Sequence, residues 1–278
     1  MTENKALVIM AGGASSRMKR SLETVSLSDS TKKIALTVHK SLIPLGKKGN
    51  PLLHYLLKNA KAAGYEKVYL ITSPENKAFK DFLAHNGTEG LQIFFALQHI
   101  PAEREKPLGT ADALEQAMHQ YPELKSSCFT ICNGDNLYST KALSLLREPR
   151  EAPHALISYS RSGLQFPDER ISKFAVMALD DEGYLENIIE KPDPEVVEKY
   201  RDAEGEIRVS MNIFSFEGTA IDSYILNCPI NPIRQEKELP EAVRHFVKEN
   251  HKQFITFPVS EHLPDLTAAD DIEDFAQL

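Results

Sequence analysis

The sequence predicts an α/β protein: a doubly wound, Rossmann-like, mostly parallel sheet with helices on both faces and a smaller antiparallel extension. Three observations predict it. Short apolar runs alternate with helix-period segments four times in the first half, the rhythm of a parallel sheet covered on both sides. The second half carries strand-like runs with fewer helices between them. There the D-D-E-G sequence at Asp180 to Gly183 reads as the turn of a hairpin.

Lys5 to Met10 (K-A-L-V-I-M) reads as the first strand, followed by the small-residue turn A-G-G-A-S-S-R-M at Ala11 to Met18. From Lys19 to about Lys33 the chain is polar and without period, and on to residue 37 it reads as a loop or lid. Lys40 to Gly46 reads as extended. Leu52, Leu53, Leu56, Leu57 and Ala60 fall at helical spacing, with Pro51 in the first turn and Gly64 closing the helix. Strands follow at Val68 to Ile71, Ile93 to Leu97 and Phe129 to Cys132, with helices at Asn76 to His85 and Thr110 to Gln120. In the second half, strands are expected at 155–159, 174–179, 184–189, 209–216 and 254–259. Leu239 to Glu249 is an amphipathic helix, and Thr267 to Gln277 reads as a C-terminal one.

The 278 residues are 42% hydrophobic, enough to bury a substantial core as one large α/β domain or two fused halves. The net charge of −8 argues against nucleic acid as a partner, since a phosphate backbone needs clustered Lys and Arg. It leaves room for a local basic pocket that takes a phosphate-bearing small molecule. Three cysteines do not make a disulfide framework and fit a reducing compartment. Cys128 and Cys132, four apart on one strand, read as buried apolar residues. No run approaches the ~20 apolar residues of a membrane span, and no secretory leader is visible. The expectation is a cytoplasmic protein without a membrane partner, with homo-oligomerisation left open.

In open α/β sheets, ligands bind beyond the carboxyl ends of the strands, so the residues that follow strands come first. Ala11, Gly12, Gly13, Ser15 and Ser16 put little side chain between backbone and ligand, and exposed N–H groups there can cradle phosphate oxygens. A tight turn would need the same small residues. The spacing is neither the dinucleotide G-x-G-x-x-G nor the Walker G-K-[ST]. Arg17 adds a fork-shaped charge for phosphate, and Lys40 is a second cation. Asp135, which follows the fourth strand through Asn133-Gly134, is placed as a hard-cation ligand, although a turn carboxylate looks the same. Asp265 follows another strand, with a helix cap as the competing reading. Glu190-Lys191-Pro192 ends a strand-like run with an acid that suits sugar hydroxyls and a base that suits phosphate.

Taken in order, these pieces resemble the sugar-1-phosphate nucleotidyltransferases, the pyrophosphorylases that make NDP-sugars. The resemblance is carried by A-G-G-A-S-S-R-M at 11–18, K-S-L-I-P-L at 40–45, G-N-P-L-L-H-Y at 49–55 and Gln98. It continues through P-L-G-T-A-D-A-L at 107–114, N-G-D-N at 133–136, E-K-P at 190–192, S-M-N-I-F-S-F at 210–216 and D-L-T-A-A-D-D-I at 265–272. It spans nearly the whole chain. It implies one nucleotidyltransferase domain over 1–278, with a nucleotide-binding half to about 150 and a sugar-binding half from about 151.

The resemblance implies specific roles. The 11–17 loop would wrap a triphosphate neutralised by Arg17 and Lys40. Gln98, Gly109 and Thr110 would form the base pocket. Asp135 and Asp265 would hold Mg²⁺. Glu190 would take the sugar, Lys191 its phosphate, and Asn212 would line the sugar site. The substrates implied are a nucleoside triphosphate, UTP or dTTP favoured by Gln98 with P-L-G-T-A, and a sugar 1-phosphate. Mannose-1-phosphate guanylyltransferases and a non-catalytic sugar-nucleotide sensor are the alternatives. The chain departs from the family pattern at Ser15 and Ser16, which replace Gly and Thr. It also departs in about ten extra residues between Arg17 and Lys40, at His39 in place of Pro, and at Ala268 in place of Gly.

Overall fold

The computed structural model describes residues 3–13, 15–23 and 29–277, and of residues 29 and 30 the backbone alone. Its strands are β1 (Ala6–Met10), β2 (Pro44–Leu45), β3 (Asn50–Pro51), β4 (Lys67–Thr72), β5 (Gln92–Leu97), β6 (Cys128–Asn133), β7 (His154–Ser160), β8 (Ala175–Leu179), β9 (Leu185–Ile189), β10 (Arg208–Glu217) and β11 (Phe254–Val259). The longer helices are α1 (Ser16–Ser21), α2 (Asp29–Thr37), α3 (Leu52–Ala62), α4 (Lys77–Asn86), α5 (Thr110–Gln120) and α6 (Thr140–Leu145). After the short α7 (Asp168–Ile171) and α8 (Pro194–Val197) come α9 (Gly218–Leu226) and α10 (Leu239–Glu249).

Among the described residues the main sheet has nine strands, ordered β11-β7-β10-β6-β1-β4-β5, with β8 and β9 branching from β10. The pairs β1·β4, β1·β6, β4·β5 and β7·β11 are parallel, while β10 runs antiparallel to both β6 and β7. The β8·β9 hairpin is the antiparallel extension that the D-D-E-G turn foretells. Asp180 Oδ1 accepts from the backbone N–H groups of Glu182 and Tyr184, which closes that turn.

Alternation along the strands builds two apolar layers. Leu7 and Ile9 face the layer that holds Leu52, Leu53, Leu56 and Leu57 of α3. Ala6 and Val8 face the layer that holds Ala113, Leu114 and Ala117 of α5 and Val243 and Phe246 of α10. Successive side chains of a strand point to opposite faces, so β1, covered on both sides, carries apolar residues at every position. Each buried aliphatic side chain contributes on the order of 1.5–3 kcal/mol relative to exposure.

Four local expectations change. Of the polar run read as a loop or lid, Lys19–Ser21 belongs to α1 and Asp29–Thr37 forms the nine-residue α2; residues 24–28 lie outside the described residues. Lys40–Leu42 is a 3-10 turn rather than extended, because His39 Nδ1 accepts from the Ser41 N–H and caps it. Pro51 is the N-cap of α3 and not its first turn. The C-terminal helix is a 3-10 helix over Ala269–Phe275, started by Asp271 Oδ2 accepting from the N–H groups of Thr267 and Ala268.

Candidate active site

Parallel strands β1, β4, β5 and β6 end at one edge of the sheet, where a cleft of about 540 Å³ opens. Register explains what converges there. Met10 pairs with Ile71 on one side and Asn133 on the other. The loop after β1, Gln98 after β5 and Asp135 after β6 therefore emerge at nearly the same level. Gly12, Gly13, Ser15, Ser16, Arg17, Lys40, Gln98, Gly109, Thr110 and Asp135 all line the cleft.

The loop after β1 is built for close approach. A Cβ at Gly12 would stand 3.0 Å from Gln98 Oε1, whereas Gly13 faces open space. Ser15 caps α1 from the left-handed region, with φ 53° and ψ 32°. A non-glycine residue there costs on the order of 1 kcal/mol. Its hydroxyl offsets part of that by accepting from the Lys40 N–H at 3.2 Å, which ties the loop to the next segment. Ala11 does not line the cleft: it is buried, and its N–H is committed to the Ile71 carbonyl at 2.8 Å.

Lys40 Nζ donates to Asp135 Oδ2, with both side chains partly exposed to the cleft. Asp135 is held in place from behind. A Cβ on Gly134 would meet the Met10 carbonyl oxygen at 2.9 Å, so the two strand tips approach closely only because that residue is glycine. The Leu266 N–H then donates to the Asp135 carbonyl at 2.8 Å, the Leu137 N–H to the Pro264 carbonyl at 2.9 Å, and Asn136 bridges Asp265. This clasp brings Asp265 beside Asp135 across 130 residues of sequence.

Asp265 does not line the cleft. Arg170 holds it at 2.8 Å, and the Thr267 hydroxyl donates to its oxygens at 2.9 and 3.1 Å. Burial, then the Asp135 charge, push the Asp265 carboxyl above the usual carboxylate range, against the pull of Arg170. Two carboxylates crowded together, Asp135 paired with Lys40 and Asp265 with Arg170, form a hard-oxygen donor set that suits Mg²⁺, which takes one or two carboxylates plus substrate phosphate. No group of three or more His, Cys, Asp or Glu side chains forms a fuller metal cage among the described residues.

On the other wall, Gly109 (φ 125°) lies so close to the Lys237 backbone that any Cβ would collide with it. The Leu108 carbonyl accepts from the Lys237 N–H at 2.6 Å, the Ala111 N–H donates to the Lys237 carbonyl at 3.0 Å, and Thr110 Oγ1 accepts from the Leu239 N–H at 2.8 Å. The P-L-G-T turn is thereby fixed by the segment leading into α10. Gln98 is buried, and its Nε2 donates to the Gly109 carbonyl at 3.0 Å and Asp112 Oδ2 at 2.9 Å.

The remaining predicted residues lie on the antiparallel side, outside the cleft. Asn212 sits at a bulge of β10 with φ 54°, between register pairs Ser210 and Phe214. Its carbonyl accepts weakly, at 3.4 Å, from the Tyr138 hydroxyl, which donates more closely to the Met211 carbonyl at 2.7 Å. Val176 of β8 pairs with both Ile189 and Val209. Glu190 and Lys191 therefore leave the extension near the β10 bulge. Lys191 has φ 45°, and Arg234, Glu238, Lys191 and Arg244 surround Glu190 electrostatically.

The family model described as Nucleotidyl transferase matches residues 6–260. The chain belongs to the nucleotidyl transferase family. This bears out the resemblance drawn from the motifs. The bifunctional protein GlmU of Geotalea uraniireducens (strain Rf4) is 23% identical over 242 residues, covering 87% of this nucleotidyl transferase and 45% of that protein. GlmU of Staphylococcus epidermidis is 22% identical over 205 residues, 73% of this chain and 41% of the relative. The chain thus spans less than half the length of these curated relatives. A UDP-glucose pyrophosphorylase solved with UDP-glucose superposes with TM-score 0.71 at 16% identity, covering 99% of this chain and 97% of that one. HddC from Yersinia pseudotuberculosis does so with TM-score 0.63 at 16% identity, covering 100% and 99%. At such identity these two structures establish the fold, the expected α/β arrangement.

Several cleft residues of this nucleotidyl transferase were given no role in the site by the sequence reading: Arg20, His39, Lys106 and Glu236. Arg20 stands three residues after Arg17 on α1, and helical spacing would have paired them had the segment been read as helix. Burial and the neighbouring Lys40 hold the His39 imidazole down at about 4, so it is neutral at physiological pH. Arg170 carried no motif signal at all.

Proposed function

We propose that this nucleotidyl transferase moves a nucleotidyl group from a nucleoside triphosphate, UTP or dTTP favoured, to a sugar 1-phosphate, releasing pyrophosphate, with Mg²⁺ as cofactor. The observation that carries the reading is the clasp that brings Asp135 and Asp265 together beside the cations of the cleft, Arg17 and Arg20 on α1 and Lys40 on the 3-10 turn. We also read it as a cytoplasmic enzyme acting on small molecules. No helix of the described residues is long and apolar enough to cross a membrane.

The chemistry asks for alignment and charge, not for a base. The second pKa of a phosphate monoester is about 6, so the sugar phosphate is already largely dianionic and attacks the α-phosphorus without help. Its oxygen forms the new P–O bond as the bond to the β-phosphate oxygen breaks, and pyrophosphate leaves. Gly12, Gly13 and Ser16 line the path of the triphosphate, and Arg17 and Lys40 neutralise it. Asp135 and Asp265 would hold Mg²⁺, which when bound polarises the phosphoryl oxygens. Glu190 binds sugar hydroxyls, Lys191 the sugar's phosphate, and Asn212 the edge of the sugar site. Preorganised charge at the reacting centre is the principal source of rate in phosphoryl transfer.

The base preference rests on Gln98. Both acceptors around its Nε2 fix the amide so that Oε1 is left for the cleft beside Gly12. A lone acceptor suits the ring N–H of uracil or thymine. Guanine has a ring N–H too, which keeps guanylyl transfer as the second reading.

The test is pyrophosphate release with Mg²⁺, crossing UTP, dTTP, GTP, CTP and ATP with hexose, hexosamine and heptose 1-phosphates. Release that needs one nucleotide and one sugar phosphate together is the expected result. Silence across the panel, with nucleotides still shifting the melting temperature, would instead make the chain a sensor.

A further inference from the structure

We propose that Asp112 and Gln116 are positioning residues that set nucleobase preference by fixing which end of the Gln98 amide faces the cleft. The inference rests on the nucleotide-binding reading of the cleft. Neither residue lines the cleft, so neither touches a base. They act through an ordered chain of hydrogen bonds that starts at the backbone.

The chain begins at His99. Its N–H donates to Gln116 Oε1 at 2.8 Å, and its carbonyl accepts from Gln116 Nε2 at 3.1 Å. A backbone donor and a backbone acceptor on one residue leave the Gln116 amide a single orientation. Its Nε2 also donates to Asp112 Oδ2 at 3.0 Å. That same oxygen accepts from Gln98 Nε2 at 2.9 Å. Asp112 is buried on the first turn of α5 and makes no ion pair among the described residues. A carboxylate only accepts, so the Gln98 end beside it must be the NH₂. The Gly109 carbonyl, accepting at 3.0 Å, agrees. Reversing the amide would set Oε1 against a carboxylate and a carbonyl, leaving buried acceptors unpaired.

The consequence at the cleft is directional. Gln98 offers an acceptor, which pairs with the ring N–H of uracil, thymine or guanine. Cytosine and adenine present a bare ring nitrogen, an acceptor, at the corresponding edge position. Buried polar groups left unpaired discriminate more strongly than apolar shape does. The orientation of one amide, set by residues behind it, therefore separates the two classes of base.

The experiment compares dissociation constants for UTP and CTP with Mg²⁺, by calorimetry, in the full chain and three variants. Wild type should favour UTP by at least tenfold. Asp112→Asn should keep that ratio, because Gln116 Nε2 still demands an oxygen at position 112 and Asn supplies one. Asp112→Leu should lower the ratio at least threefold. So should the near-isosteric Asp112→Asn/Gln116→Leu, in which the Asn amide is free to turn its NH₂ toward Gln98. If the leucine variant does not fold, the double variant alone decides. A merely structural role for Asp112 would weaken UTP and CTP equally and leave the ratio fixed; that result, or a wild type without preference for UTP, overturns the proposal. Wild type that binds no nucleotide overturns the nucleotidyl-transfer reading itself, and the proposal with it.

Discussion

The Lys40 ammonium is bonded directly to the Asp135 carboxylate at the mouth of the cleft. The residue implicated in holding the triphosphate thus sits on the residue implicated in holding the metal. Each compensates the other's charge. Asp135→Asn should lower kcat by about a hundredfold to a thousandfold, the scale of losing one electrostatic element of a transition state, with an unchanged circular dichroism spectrum. Lys40→Met should also lower turnover yet tighten Mn²⁺ binding by titration, because a cation leaves the proposed metal ligand. Near-normal turnover in Asp135→Asn would remove Asp135 from the metal site.

Ser15 separates two costs that usually travel together. Ser15→Ala keeps the left-handed backbone strain and loses the acceptor for the Lys40 N–H; it should destabilise by about 1 kcal/mol. Ser15→Gly loses the same hydrogen bond but relieves the strain, and should lie about 1 kcal/mol above the alanine variant. Urea unfolding of the two variants measures the difference; equal stabilities would mean that the backbone there is not strained.

Arg170 compensates two carboxylates at once, Asp265 at 2.8 Å and Asp271 at 2.5 Å, and lies over the Phe166 ring at 4.4 Å. Removing one partner of a largely buried ion pair leaves the other uncompensated. Arg170→Met should cost roughly 3 kcal/mol in chemical denaturation. A loss below about 0.5 kcal/mol, the scale of a surface change, would show that Arg170 is only a surface charge.

His154 gives the fold an acid limit. It is fully buried at the start of β7, its Nδ1 accepts from the Glu217 N–H at 3.2 Å, and Phe216, Phe246 and Phe254 surround it. Burial, then Arg150, pull its imidazole down from 6.5 to about 3. The folded state binds the proton more weakly than the unfolded one. Its stabilising contribution is therefore complete above pH 6.5 and is lost as pH falls from 6.5 toward 3. The slope should reach about 1.4 kcal/mol per pH unit for this one group. His154→Leu should flatten that part of the profile; an unchanged slope would assign the acid lability to other groups, His39 first.

How far the sequence could be read follows the range of the forces involved. Helix α5 falls at Thr110–Gln120, α10 at Leu239–Glu249 and β11 at Phe254–Val259, all as read from period and punctuation. Helix α1 and helix α2 were missed because their polar residues carry no apolar stripe; α1 is instead held by contacts such as the Ala269 N–H donating to Ser21 Oγ at 2.8 Å. The C-terminal turn is 3-10 because Asp271 takes two N–H groups that an α-helix would have arranged differently.

The sequence by itself determined the alternation of elements, the family and the residues at the strand tips, because these depend on neighbours two to four positions away. Only the tertiary structure decided that Asp265 stands beside Asp135, that Arg170 holds it, and which end of the Gln98 amide meets the cleft. Those relations depend on strand order and on hydrogen-bond partners far apart in the chain. Burial makes them strict: a polar group removed from water must find its partner wherever the sheet has carried it.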